Sequence, residues 1–75
     1  VHFELARPQA VSLRIYDLAG RLVACLLDGQ RQGAGPHGVR WDGRDAAGRA
    51  VASGVYRCVL DGESGRDARS LVLLR

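Results

Sequence analysis

Two five-residue runs constrain this chain more than anything else in it: Asp17-Leu18-Ala19-Gly20-Arg21 and Asp45-Ala46-Ala47-Gly48-Arg49. Both read Asp-x-x-Gly-Arg. An aspartate carboxylate accepts hydrogen bonds from backbone N–H groups just ahead of it, which fixes a turn. The glycine then takes a positive φ and lets the chain reverse, as in a type I turn closed by a bulge. Both runs are expected to turn hairpins, with Gly20 and Gly48 left-handed. Asp61 to Arg66 is a slightly longer relative. The segments between these turns do not match one another, so the recurrence is shared turn chemistry and not a solenoid repeat.

Between the turns the residues alternate. Val11, Leu13 and Ile15 interleave with Ser12, Arg14 and Tyr16 at a period of two. Tyr56, Cys58 and Leu60 share one face, with Arg57 on the other. Val39 and Trp41 flank Arg40 in the same way, and Phe3-Glu4-Leu5 is the tail of a strand ended by Pro8. Leu22 to Leu27 and Leu71 to Leu74 are apolar without alternation, which suits strands covered on both faces or strands carrying a bulge. No segment has a helical period. Gly29 to Gly38 holds four further glycine or proline positions and is expected to be the longest and most mobile loop, with His37 a solvated residue at its end. About six to seven short strands separated by turn signals predict an all-β chain, an antiparallel β-sandwich forming a single domain over residues 1–75. Trp41 is its one tryptophan and is expected to fill the centre between the sheets, with Tyr56 nearby.

Composition bounds the function. A domain of 75 residues buries only about 60 % of its unfolded surface, so its stability margin is small. With 47 % hydrophobic and 25 % charged residues the chain is globular and not disordered. It opens on Val1 and reads as a fragment of a longer protein or a processed chain. No apolar run approaches the ~20 residues that span a bilayer. The net charge of +3 comes entirely from arginines against acids, and those arginines are scattered singly. Without a basic run or interleaved aromatics, nucleic acid is not an expected partner. Cys25 and Cys58 are too few for a disulfide framework and lack zinc-site spacing. They are expected to be small buried hydrophobes, unpaired, with an inter-sheet bridge in an oxidising compartment as the alternative.

No catalytic, cofactor-binding or metal-binding residue emerges, and the chain is not expected to be an enzyme. Asp42, Asp45 and Asp61 lack the alternating oxygens and closing glutamate of a calcium loop, so they read as turn caps. Asp42 and Glu63 as a hydrolytic pair would need a cleft that a sandwich this small is not expected to offer. Ser12, Ser53, Ser64 and Ser70 have no nucleophile-elbow context. Gly33 to Gly38 lacks the Lys-Ser/Thr and the following helix of a phosphate loop.

Several runs resemble a known family. Ile15-Tyr16-Asp17 with Gly20-Arg21-Leu22-Val23 is similar to its first half. Trp41-Asp42-Gly43, Gly48 and Ser53-Gly54-Val55-Tyr56 are similar to its second half, and Ser70 to Arg75 to its closing strand. The resemblance is to the immunoglobulin-like domain of the flagellar hook-capping protein, and equally to the C-terminal sorting domains of secreted bacterial proteins. It implies an immunoglobulin-like fold, an extracellular or cell-surface location, and no catalytic residues. Two functions are then open. One is a C-terminal sorting or anchoring module of an exported protein, read by secretion or surface-attachment machinery. The other is a structural spacer or self-association unit that meets a neighbouring domain. The sorting tail is commonly Lys-rich, and Arg69 and Arg75 stand in for that here. Leu71 to Leu74 is apolar on both faces, so Arg69, Leu71, Leu73 and Arg75 are the candidate docking residues. The alternative is that both faces are covered within the domain.

Overall fold

The computed structural model describes residues 1–63 and 65–74, and every element in them is a strand, a turn or a connecting segment. Six strands form: β1 (His2–Leu5), β2 (Gln9–Tyr16), β3 (Leu22–Gln32), β4 (Gly35–Gly38), β5 (Gly54–Gly62) and β6 (Gly65–Leu73). They make two antiparallel sheets, a four-stranded one in the order β3-β2-β5-β6 and a two-stranded one of β1 and β4. This is the expected all-β, immunoglobulin-like sandwich. It is elongated, 35 × 20 × 18 Å.

The period of two decides which side is core. Val11, Leu13 and Ile15 on β2 are at most 1 % exposed. On the same inner face Ile15 lies between Ala24 of β3 and Cys58 of β5. Leu13, Ile15, Ala24, Tyr56 and Cys58 form the buried cluster, and Val1, Phe3, Trp41 and Leu71 pack around it. The run Leu22 to Leu27 fails to alternate because the β2–β3 ladder is bulged. Its register slips between Ile15 and Tyr16, between Leu13 and Arg14, and between Val11 and Leu13. Each slip leaves a β3 residue without a direct partner and changes which face the next one takes.

The paired Asp-x-x-Gly-Arg runs fold almost identically. Asp17 Oδ1 accepts the N–H groups of Ala19 (3.0 Å) and Arg21 (2.9 Å), and the Gly20 N–H reaches the Asp17 carbonyl at 3.0 Å. Asp45 Oδ1 accepts those of Ala47 (2.9 Å) and Arg49 (3.0 Å), and Gly48 reaches the Asp45 carbonyl at 2.9 Å. Gly20 and Gly48 have φ of 85° and 81°, where a β-branched residue would be strained. Only the first run joins two strands. The second is closed by the single bridge Arg44–Ala50 within the long connection from β4 to β5. There the Ala46 N–H donates to the Val23 carbonyl (3.0 Å) and ties the loop to the edge of β3.

Several expectations give way to the structure, and the hairpin expected at Asp45 is one, since that run joins no two strands. Gly29 to Gly38 is mostly strand, since β3 runs through Gln32 and β4 covers Gly35–Gly38 opposite β1. His37 there is half-buried and stacks on Phe3 at a centroid distance of 5.2 Å. The strand expected at Val39 and Trp41 is displaced towards the N-terminus, although Val39 still exchanges backbone hydrogen bonds with Val1. Trp41 is not the central filler. It is half-buried at one end of the core, edge-on to Tyr56 at 5.2 Å, with its indole N–H donated to the Arg44 carbonyl. Leu13 and Ile15 occupy the centre instead, on the strand that is paired on both sides, and Trp41 packs at the margin of their cluster.

One buried polar residue fastens the opposite end. Gln9 is 2 % exposed, and its Oε1 accepts the Glu63 N–H at 2.9 Å while its Nε2 reaches the Arg7 carbonyl. A Cβ at Gly62 would meet Gln9 Oε1 at 2.5 Å, so a side chain there would displace the amide from its bond to Glu63. Gln9→Leu is expected to destabilise the fold by about 1 kcal/mol, since the part-buried bonds to the Glu63 N–H and the Arg7 carbonyl are lost. Urea denaturation measures this, and a leucine variant as stable as the parent contradicts the latch.

Candidate docking surface

Alternation along β6 sorts the candidate residues. Arg69, Leu71 and Leu73 stand opposite Cys58, Tyr56 and Gly54 of β5, so they share the inner side of the strand. Leu71 and Leu73 are half-buried and pack against the core cluster. Arg69 is exposed, and its Nε holds Asp67 Oδ2 at 3.2 Å. Arg75 lies outside the described residues. The outer side presents Val72, which is 61 % exposed, and Leu74, which is 84 % exposed.

Between β1 and β6 the two sheets stand apart. The opening forms a recess of about 290 Å³ lined by Val1, Phe3, Leu13, Cys58, Leu60 and Leu71, with Asp67 and Arg69 at its rim. Its walls are core side chains seen from the open side of the sandwich. β1 and β6 have no strand partner across it among the described residues. Free edges of this kind are where added strands or partner chains bind other sheets.

The titratable groups serve the turns. The backbone N–H of Arg21, with the Arg21 guanidinium behind it, holds the Asp17 carboxyl below its ordinary range. Asp61 pairs with Arg66 at 2.7 Å and strengthens its hold on the proton. Asp42 accepts the Arg44 N–H. The aspartates weighed as calcium ligands are thus engaged in turns or ion pairs. No group of three or more His, Cys, Asp or Glu side chains among the described residues is placed to hold a metal. Gly33 to Gly38, weighed above as a phosphate loop, is largely β4. No helix is long and apolar enough to cross a membrane among the described residues.

Tyr56 carries a further sign of the fold. Its hydroxyl donates to the Ala52 carbonyl four residues upstream, at 2.6 Å. Immunoglobulin-type sandwiches pin the entry to a strand with a tyrosine used in this way. The family model of the FlgD Ig-like domain matches residues 1–66. The chain belongs to the FlgD Ig-like domain family. The match takes in β1 to β5, both Asp-x-x-Gly-Arg turns and the Tyr56 corner, and it ends at Arg66 near the start of β6. No curated protein and no solved structure matches the chain. The family assignment supports the hook-capping side of the sequence resemblance and gives no support to the sorting side.

Sequence reasoning missed Gln9, whose polarity at the head of an apolar alternation was the available signal. The expectation that both cysteines are buried holds for Cys58 and fails for Cys25. Cys25 stands opposite Arg14 and is exposed, whereas Cys58 stands opposite Ile15 and is buried, so the two thiols point to opposite faces of the sheet. Both are free. Burial pushes the Cys58 thiol up, which removes its reactive thiolate at neutral pH. Iodoacetamide without reductant is expected to label Cys25 in the folded chain and both cysteines after unfolding. Mass spectrometry reads the outcome, and an unfolded chain that takes no label contradicts the free thiols.

Proposed function

We propose that this chain is a non-catalytic structural module that sets spacing and orientation within a larger exported protein, as an immunoglobulin-like domain of the hook-capping type. The observation that carries the reading is the family match over residues 1–66, which takes in β1 to β5. The arrangement of ionisable groups supports it. The carboxylates of Asp17, Asp45 and Asp61 are spent on turns and ion pairs, and the recess between the sheets is lined mainly by apolar core residues. In this reading β6 is the strand that meets a neighbouring domain. Arg69 contributes from its exposed position, Leu71 and Leu73 support the strand from inside, and Arg75 extends the contact. The module lies outside the cell and occupies residues 1–75 as one domain.

The sorting reading is the weaker of the two, because the family match favours a structural role. Replacing the module, in the protein that carries it, by an unrelated immunoglobulin-like sandwich of equal length tests the choice. Export and assembly are expected to survive the exchange. Loss of export with a folded replacement contradicts the structural reading and restores sorting.

A further inference from the structure

The exposed large hydrophobics are not scattered. Leu18, Leu22, Val55, Val72 and Leu74 are 73, 55, 43, 61 and 84 % exposed. They sit where β2 ends, β3 begins, β5 begins and β6 ends, and in an antiparallel sheet those four points are one end. Leu22 stands opposite Tyr16, Tyr16 opposite Arg57, and Val55 opposite Val72, so Leu22, Val55 and Val72 share the outer face of the four-stranded sheet. Leu18 lies beyond them in the Asp17 turn, and Leu74 beyond the last paired residue of β6.

The charge is gathered at the same end. Arg21, Arg40, Arg44, Arg49 and Arg57 lie in this half against Asp17, Asp42 and Asp45, an excess of two positive charges. The other half of the described residues holds five arginines and five acids and is neutral. The side chains of Arg40 and Arg57 are exposed and make no ion pair or hydrogen bond among the described residues. The three aspartates are already engaged, each accepting a backbone N–H in its own turn.

An apolar, positively charged end of this kind asks for an anionic, apolar-tolerant partner. A second copy of the chain does not fit, because pairing through this end brings two positive poles together. The most exposed leucines are convex, Leu18 at a turn and Leu74 past a strand end, and arginines surround them on several elements. A rigid acidic protein would need pockets matched to each protrusion, whereas a lipid interface moulds itself to them. We propose that this end of the sandwich docks on an anionic lipid surface, with Leu18, Leu22, Val72 and Leu74 entering the interface and Arg40 and Arg57 at headgroup level. The inference goes beyond the spacer function: it concerns the outer face at one end of the four-stranded sheet, whereas the contact with a neighbouring domain is placed at Arg69 and the inner side of β6.

The test is co-sedimentation of the chain with phosphatidylcholine vesicles, with and without phosphatidylglycerol. Binding is expected only with phosphatidylglycerol, and it should fall severalfold as salt rises towards physiological strength, because exposed charges are screened. Leu18→Asp with Val72→Asp should abolish it, and Arg40→Glu with Arg57→Glu should do the same. Arg31→Glu, in the neutral half, should leave the bound fraction nearly unchanged. All substituted side chains are exposed, and circular dichroism confirms that each variant is folded. No binding to the anionic vesicles, equal binding to both vesicle types, or equal loss in the Arg31 variant overturns the proposal. Absence of vesicle binding would leave an acidic protein as the occupant of this end.

Discussion

The architecture depends on the inner face of β2. Leu13 and Ile15 lie in a strand that is paired on both sides, and they are 1 % and 0 % exposed. Each is flanked by an inner-face residue of β3 and of β5, and the small β1–β4 sheet covers them. Burying a side chain of this size is worth about 1.5–3 kcal/mol, a large share of what a small domain has in total. Everything else is arranged around that strip. β1 and β4 are short because they need only span it. The recess at the β1–β6 side is open because two strands do not cover four.

The polar groups keep that thin sandwich in register. The ends of the strands are held by local bonds that cost little order, an aspartate accepting two N–H groups in each of the two Asp-x-x-Gly-Arg turns. Gln9 holds the β1–β2 connection at the Arg7 carbonyl and the β5–β6 turn at the Glu63 N–H, and Tyr56 holds the β4–β5 connection at the Ala52 carbonyl. No buried side-chain nitrogen or oxygen among the described residues lacks a partner. An unmet polar group in so small a core would consume a notable part of its stability, since each costs about 1–3 kcal/mol. The same economy bears on the candidate site, since the carboxylates of Asp17 and Asp45 are committed to turns and that of Asp61 to an ion pair.

Local chemistry was legible in the sequence and non-local pairing was not. The alternation of Val11 to Ile15 and the turns at Asp17 and Asp45 follow from residues within a few positions of each other, and so did the sandwich class. Gly35 to Gly38 is a strand only because β1 lies beside it, and nothing in a Gly-Pro-His-Gly run signals that neighbour. Trp41 was misplaced for a related reason. Size argues for the centre, but the distance between sheets is set by strands far away in sequence. The gathering of Leu18, Leu22, Val55, Val72 and Leu74 at one end was invisible for the same reason, because strand order creates it. Of the candidate docking residues, the sequence located the strand. The structure supplied which of its side chains turn inward.

The central claim is that stability resides in the β2–β5 ladder and its buried strip, with the two-stranded sheet as a cover. Native-state hydrogen exchange tests it most directly, because amides that exchange only by global unfolding mark the part that unfolds last. The account predicts that the slowest amides are the hydrogen-bonded ones of β2 and β5, and that those of β1 and β4 exchange faster through local opening. Equal protection of β1 and β4, or faster exchange in β2 than in either, would contradict it.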